Sequence, residues 1–158
     1  MTDLKLFPMI SALLANLMAQ VLKVIFYRVK TGRWDWHWVL MSGGFPSSHS
    51  STVTALTLCI GLQTGFSGNL FAITAIFSLI VMYDACHVRY YCGKGIEMTL
   101  ALVRDLEEAG IIEMGSPEYH QKMKTILGHK VSEVVGGVVV GLVTPFIVII
   151  AFRLILGA

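Results

Sequence analysis

Between Val131 and Leu156 the chain reads VSEVVGGVVVGLVTPFIVIIAFRLIL, with Glu133 and Arg153 its only charges. About 20 such residues cross the hydrocarbon core of a bilayer, where the backbone must satisfy its own hydrogen bonds, so this stretch predicts a spanning helix. Three more apolar stretches precede it: Phe7 to Phe26, about Ser48 to Leu62, and Leu70 to Tyr83. The first is long enough to span and no small-residue cleavage signal follows it, so it is expected to persist as a mature helix. The middle two are short, at roughly 14 to 16 residues against the roughly 20 needed, which predicts a re-entrant or locally thinned hairpin. The turn QTGFSGN between them has the Gly, Ser and Asn of a tight connection. Composition agrees, since 55% hydrophobic and 14% charged residues leave too little polar surface to cover a soluble globule. The expected fold is all-α: a polytopic membrane helix bundle of about four spanning helices plus a surface amphipathic helix, in one integral membrane domain over residues 1–158.

Charge organises the rest. A formal net charge of +2, with its cations scattered, argues against a nucleic-acid partner. Cys59, Cys86 and Cys92 have no disulfide-framework spacing and read as reduced thiols. The extended charged region lies between Asp84 and Lys130, where Ile96, Leu100, Val103 and Leu106 recur at helical spacing. This predicts the amphipathic helix, ended near Gly110, with a further helix start at Ser116, Pro117 and Glu118. Arg28, Lys30 and Arg33 lie in one connection, Arg89, Lys94, Arg104, Lys122, Lys124 and Lys130 in another, and none lies in residues 63–69. Alternating spans then bring the first two connections to one side, which the positive-inside rule makes cytoplasmic. The expected setting is a bacterial plasma membrane, with the polar site at the cytoplasmic face.

Three polar segments meet that face at the ends of spans. In SGGFPSSHSS, Pro46 suits a first helical turn and Ser47 and Ser48 supply caps or donors. Free amides at such a helix start attract phosphate. Gly44 lets the backbone come close to a bound group, and His49 exchanges a proton near neutral pH. In LGHKVSEVVGG, His129 and Glu133 are four apart and share a helix face, so the carboxylate can orient the imidazole by its far nitrogen. An imidazole held in that way is a better base or nucleophile. In the third segment, Arg89 and Lys94 are candidate phosphate-binding cations and Asp84 is suited to position Arg89. Cys86, His87 and Cys92 make a weaker soft-metal grouping, Trp34, Trp36 and Trp38 an interfacial belt, and Gly137 and Gly141 a close helix contact.

The two histidine segments resemble the type 2 phosphatidic acid phosphatase superfamily, which includes the vanadium haloperoxidases. Pro46-Ser47-Ser48-His49 is similar to its P-S-G-H motif, and His129 to Glu133 to its H-x-x-x-D motif, with Glu for Asp. More closely, GGFPSSHSSTVTAL, IVMYDACHVRYYCGK and LGHKVSEVVGG, in that order, resemble a small divergent membrane branch related to the superfamily, over roughly residues 8–150. The resemblance implies a phosphohistidine on His129, protonation of the leaving alkoxide by His49, orientation by Glu133, and no metal or other cofactor. The implied partner is a phosphorylated membrane lipid within the bilayer, and a homo-oligomer is compatible with the sequence. Two superfamily cations have no counterpart: K-x6-R-P is unmatched, Lys23 being followed seven residues on by Lys30, and Met123 stands six residues before His129. A phospholipid or polyprenyl-phosphate carrier or binder that keeps the anion pocket is the alternative.

Overall fold

The computed structural model describes residues 5–40, 43–112 and 128–156. The helix start expected at Ser116, and Met123, lie outside them. Helix α1, Phe7–Thr31, has Pro8 in its first turn and closes on Gly32 with φ 76°, with Arg28 and Lys30 in its last turn. A 3-10 turn, Trp36–Leu40, leads toward α2, Ser48–Thr64, which Ser47 caps. Helix α3, Asn69–Tyr83, passes through a π turn, Asp84–Val88, into α4, Arg89–Glu108. Helix α5, Val131–Leu156, completes the bundle.

The middle of the chain differs from the expected short hairpin. The third apolar stretch does not stop at Tyr83: Asn69–Glu108 is one continuous helix of 40 residues, and the amphipathic stretch is its extension. Of the charges that read as a boundary, Asp84 opens the π turn and Arg89 follows it as the first residue of α4, and the turn takes up one extra residue without ending the helix. Helix α4 ends at Ala109 and Gly110, where the amphipathic pattern stops. Among the described residues three helical stretches, Phe7–Thr31, Asn69–Glu108 and Val131–Leu154, are long and apolar enough to cross a membrane. Helix α2, of 17 residues, is the central element and packs on α1, α3 and α5.

The packing is that of a protein whose solvent is lipid. Small residues line the helix contacts: Ala15, Ala19, Ser50, Ser51 and Ala55 are fully buried, while Leu17, Ile73, Ile80 and Ile150 face outward. Hydroxyls and amides tie the helices together. Asn16 donates to Thr52 at 3.0 Å, Ser51 to the Ala15 carbonyl at 3.1 Å, and Ser78 to the Val53 carbonyl at 3.1 Å. On α5 a Cβ at Gly137 would overlap the Ser47 carbonyl, and one at Gly141 would lie 2.5 Å from the Ser51 carbonyl. That is the close helix contact expected of this glycine pair, and it presses α5 onto the first turns of α2.

Candidate functional site

The start of α2, the start of α5 and the π turn come together at one end of the bundle. Ser47 accepts from the Ser50 amide at 3.3 Å and the Ser50 hydroxyl at 3.1 Å, fixing the first turn. Its own amide donates to the Glu133 carbonyl at 2.8 Å, joining the two helix starts. The His129 amide donates to the Ala85 carbonyl at 2.9 Å, so the π turn holds the second histidine in register. Backbone hydrogen bonds thereby join Ser47 to Glu133 and Ala85 to His129, segments far apart in sequence.

His49 and His129 face each other with ring centroids 5.8 Å apart and planes inclined at 68°. The Nδ1 atom of His129 lies 2.9 Å from Glu133 Oε2, which also accepts from the Lys130 amide at 3.3 Å. An ionised carboxylate only accepts, so Nδ1 carries a proton, and in the neutral imidazole Nε2 keeps its lone pair. His129 is 1% exposed, and its Nε2 and the Nδ1 of His49 are buried without a hydrogen-bond partner. Two unpartnered ring nitrogens in so tight a site are ready to take a hydrogen-bonding or reacting group. The Ser48 and His49 amides occupy the first two helical positions of α2, where no intrahelical acceptor exists.

The remaining sequence candidates divide. Ser47 and Ser48 are buried beside His49, and Gly44, with φ 93°, forms a cavity wall with Glu133. Arg89 and Asp84 form a partly exposed ion pair at 2.5 Å, and both act electrostatically on His49. Lys94 stands apart: it pairs with Glu97 at 2.7 Å on an exposed face of α4. Among the described residues no three His, Cys, Asp or Glu side chains gather in a metal-binding group.

Sequence reasoning missed Lys23. It is 2% exposed, and its ammonium donates to the Ser48 hydroxyl at 3.4 Å from the neighbouring helix. It also acts electrostatically on His49 and feels Glu133. A lysine inside an apolar span is costly without a partner, and that was the available signal. Two cavities flank the His129–Glu133 pair. One, of about 280 Å³, has Lys23, Lys30, Trp38, Gly44 and Glu133 in its wall. The other, of about 310 Å³, is lined by His129, His87, Tyr90 and Lys130.

Such an arrangement can bind an oxyanion and present it to an oriented imidazole, with a second imidazole as proton donor. Comparison with known proteins agrees with the histidine motifs. The family described as Divergent PAP2 family matches residues 4–144. The uncharacterized membrane protein YuiD of Bacillus subtilis (strain 168) is 36% identical over 146 residues, covering 89% of this chain and 92% of that protein. No solved structure matches. An all-α bundle with apolar spanning helices, a membrane-protein relative and a family match over most of its length make this chain an integral membrane protein and a member of the Divergent PAP2 family.

Proposed function

We propose that the protein is a phosphatase that hydrolyses a phosphomonoester or diphosphate of a membrane lipid, such as phosphatidate, phosphatidylglycerophosphate or a polyprenyl pyrophosphate, through a phosphohistidine. One observation carries the reading: His129 has Glu133 on one ring nitrogen and an unpartnered second nitrogen, with the His49 ring 5.8 Å away. In the first step Nε2 of His129 attacks phosphorus, the bond to the leaving oxygen breaks, and protonated His49 gives that oxygen its proton. Glu133 stabilises the imidazolium that forms. Water then attacks phosphorus, His49 takes the water's proton, and the N–P bond breaks to release phosphate and regenerate His129. Lys23, the Ser48 hydroxyl, the amides at the start of α2 and Arg89 supply the positive potential that a transferring phosphoryl group needs. The distribution of Lys and Arg supports a site at the cytoplasmic face of the membrane.

The test is phosphate release from a panel of lipid phosphates by purified wild type, His129→Ala and His49→Ala. Release that falls to background in both variants supports the reading; equal rates in all three proteins refute it. A binding-only carrier is favoured by the Arg89–Asp84 pair, which already neutralises the arginine nearest the site. Saturable vanadate binding by the wild type with no release from any lipid selects that reading.

A further inference from the structure

We infer that the groove between α3 and α5 holds the hydrocarbon tail of the phosphorylated lipid, which enters the site sideways from the bilayer. Helices α3 and α5 both pack on α2, and they are joined near the site, where the His129 amide bonds the Ala85 carbonyl. Below that joint they leave a groove of about 330 Å³, with Thr54, Thr57 and Leu58 of α2 as its floor. Phe71, Ala75, Ser78 and Met82 form one wall, and Val138 and Leu142 the other. Among the described residues no charged side chain lines it. Its hydroxyls are turned into the protein: Thr57 and Ser78 pair at 2.6 Å, Ser78 reaches the Val53 carbonyl, and Thr54 Oγ1 is buried. The surface offered to a guest is therefore carbon.

The groove continues the cavity at His129. Phe71, Ala75, Ser78 and Met82 recur at helical spacing, and Cys86 and Tyr90, which line that cavity, prolong the series through the π turn. On α5, Val131 lines the cavity and Val138 the groove, two turns apart on one face. One cleft thus runs between the long helix and α5. His129 and Lys130 stand at its polar end, and the Phe66 and Phe71 rings, with centroids 5.2 Å apart, at its apolar end. From Phe71 to Met82 the rise is about 16 Å. Half of a hydrocarbon core of about 30 Å is about 15 Å. Cations at one end and a leaflet's depth of carbon below them match a lipid that carries phosphate. Bilayer chains are as apolar as these walls, so transfer into the groove brings no hydrophobic gain. A chain is held there because it makes the dispersion contacts that an empty recess forfeits. That the guest is the substrate's tail rests on the phosphatase reading; occupation of the groove by a lipid chain does not.

The test uses phosphatidate with a diazirine near the end of one acyl chain, photolysed with the full chain in neutral detergent, and the labelled residues are mapped by mass spectrometry. Labelling is expected on the Ala75, Ser78 and Met82 face of α3 and at Val138 and Leu142 of α5. It should saturate, be displaced by unlabelled dioleoyl phosphatidate, and fall about tenfold in Ala75→Phe, whose ring overfills the recess. Ile76→Phe, on the exposed side of α3, is the control. In turnover, the ratio of kcat/KM for dioleoyl over dihexanoyl phosphatidate should fall by a similar factor in Ala75→Phe, because the shorter tail leaves the lower groove empty. Val138→Phe, on the facing wall, repeats both readings if Ala75→Phe does not fold. Labelling that does not saturate, or that falls equally on the Ile76 and Phe77 side, marks surrounding lipid only and overturns the inference. So does labelling or a chain preference that both groove variants leave intact. Groove labelling without turnover of any lipid phosphate sinks the phosphatase reading alone, and turnover with surrounding-lipid labelling sinks this one alone.

Discussion

Replacing Gly137 by alanine tests whether a missing side chain is what holds α5 against the start of α2. The new Cβ would overlap the Ser47 carbonyl oxygen and lie 2.8 Å from Ser50 Cβ. Neither neighbour can yield cheaply. Ser47 caps α2 and its amide is bonded to the Glu133 carbonyl at 2.8 Å, while the Ser50 hydroxyl is bonded to Ser47. The helices must separate instead. Overpacking of this kind costs about 1–3 kcal/mol, offset by the roughly 0.5–1 kcal/mol that alanine gains over glycine in a helix. On central values the net destabilisation is about 1 kcal/mol, a lowering of the unfolding midpoint by roughly 2–4 °C in a chain of this size. Gly95 is the matched control: it is an exposed helical glycine whose added Cβ meets nothing within 4 Å. Gly95→Ala should therefore raise the midpoint slightly. Thermal unfolding in detergent, followed by circular dichroism, reads both. Gly137→Ala with a midpoint at or above wild type refutes the close-contact argument.

Two further substitutions probe the site. Glu133→Gln keeps the shape of the side chain but removes the charge opposite His129 Nδ1, so phosphate release should fall about 10³-fold or more while the protein still folds; a loss below tenfold would show that the carboxylate does not stabilise the imidazolium. Asp84→Asn breaks a partly exposed ion pair worth about 0–1 kcal/mol, so the unfolding midpoint should hardly move. Phosphate or vanadate should bind more tightly because Arg89 is released, and weaker binding would mean that Asp84 is needed to aim it.

The bundle was legible because lipid leaves so few alternatives. Runs such as Val131 to Leu156 admit only helices, and the observed α5 has the bounds that the apolar pattern marks. The start of α2 at Ser48 was equally legible, since a serine cap next to proline punctuates an apolar run. The pairing of Glu133 with His129 was legible but not its form: the two do not share a helix face, because α5 begins at Val131 and Glu133 reaches back from its first turn to the Lys130 amide and the His129 ring.

Beyond the Gly137 and Gly141 contact, what sequence could not supply was which side chains two meeting helices bring together. The charges at Asp84 and Arg89 look like a helix boundary, yet a π turn carries the chain past them, and its Ala85 carbonyl meets the His129 amide just before α5. Lys23 reads as one cation in an apolar run until α1 and α2 lie side by side and its ammonium reaches Ser48. Lys94 reads as a companion of Arg89, but a local acid three residues on takes it. Local patterning determined the helices and the His129–Glu133 pair, because those forces act within a turn. The facing of His49 and His129 and the two cavities around them came from tertiary structure, because they depend on where the starts of α2 and α5 and the π turn meet in space.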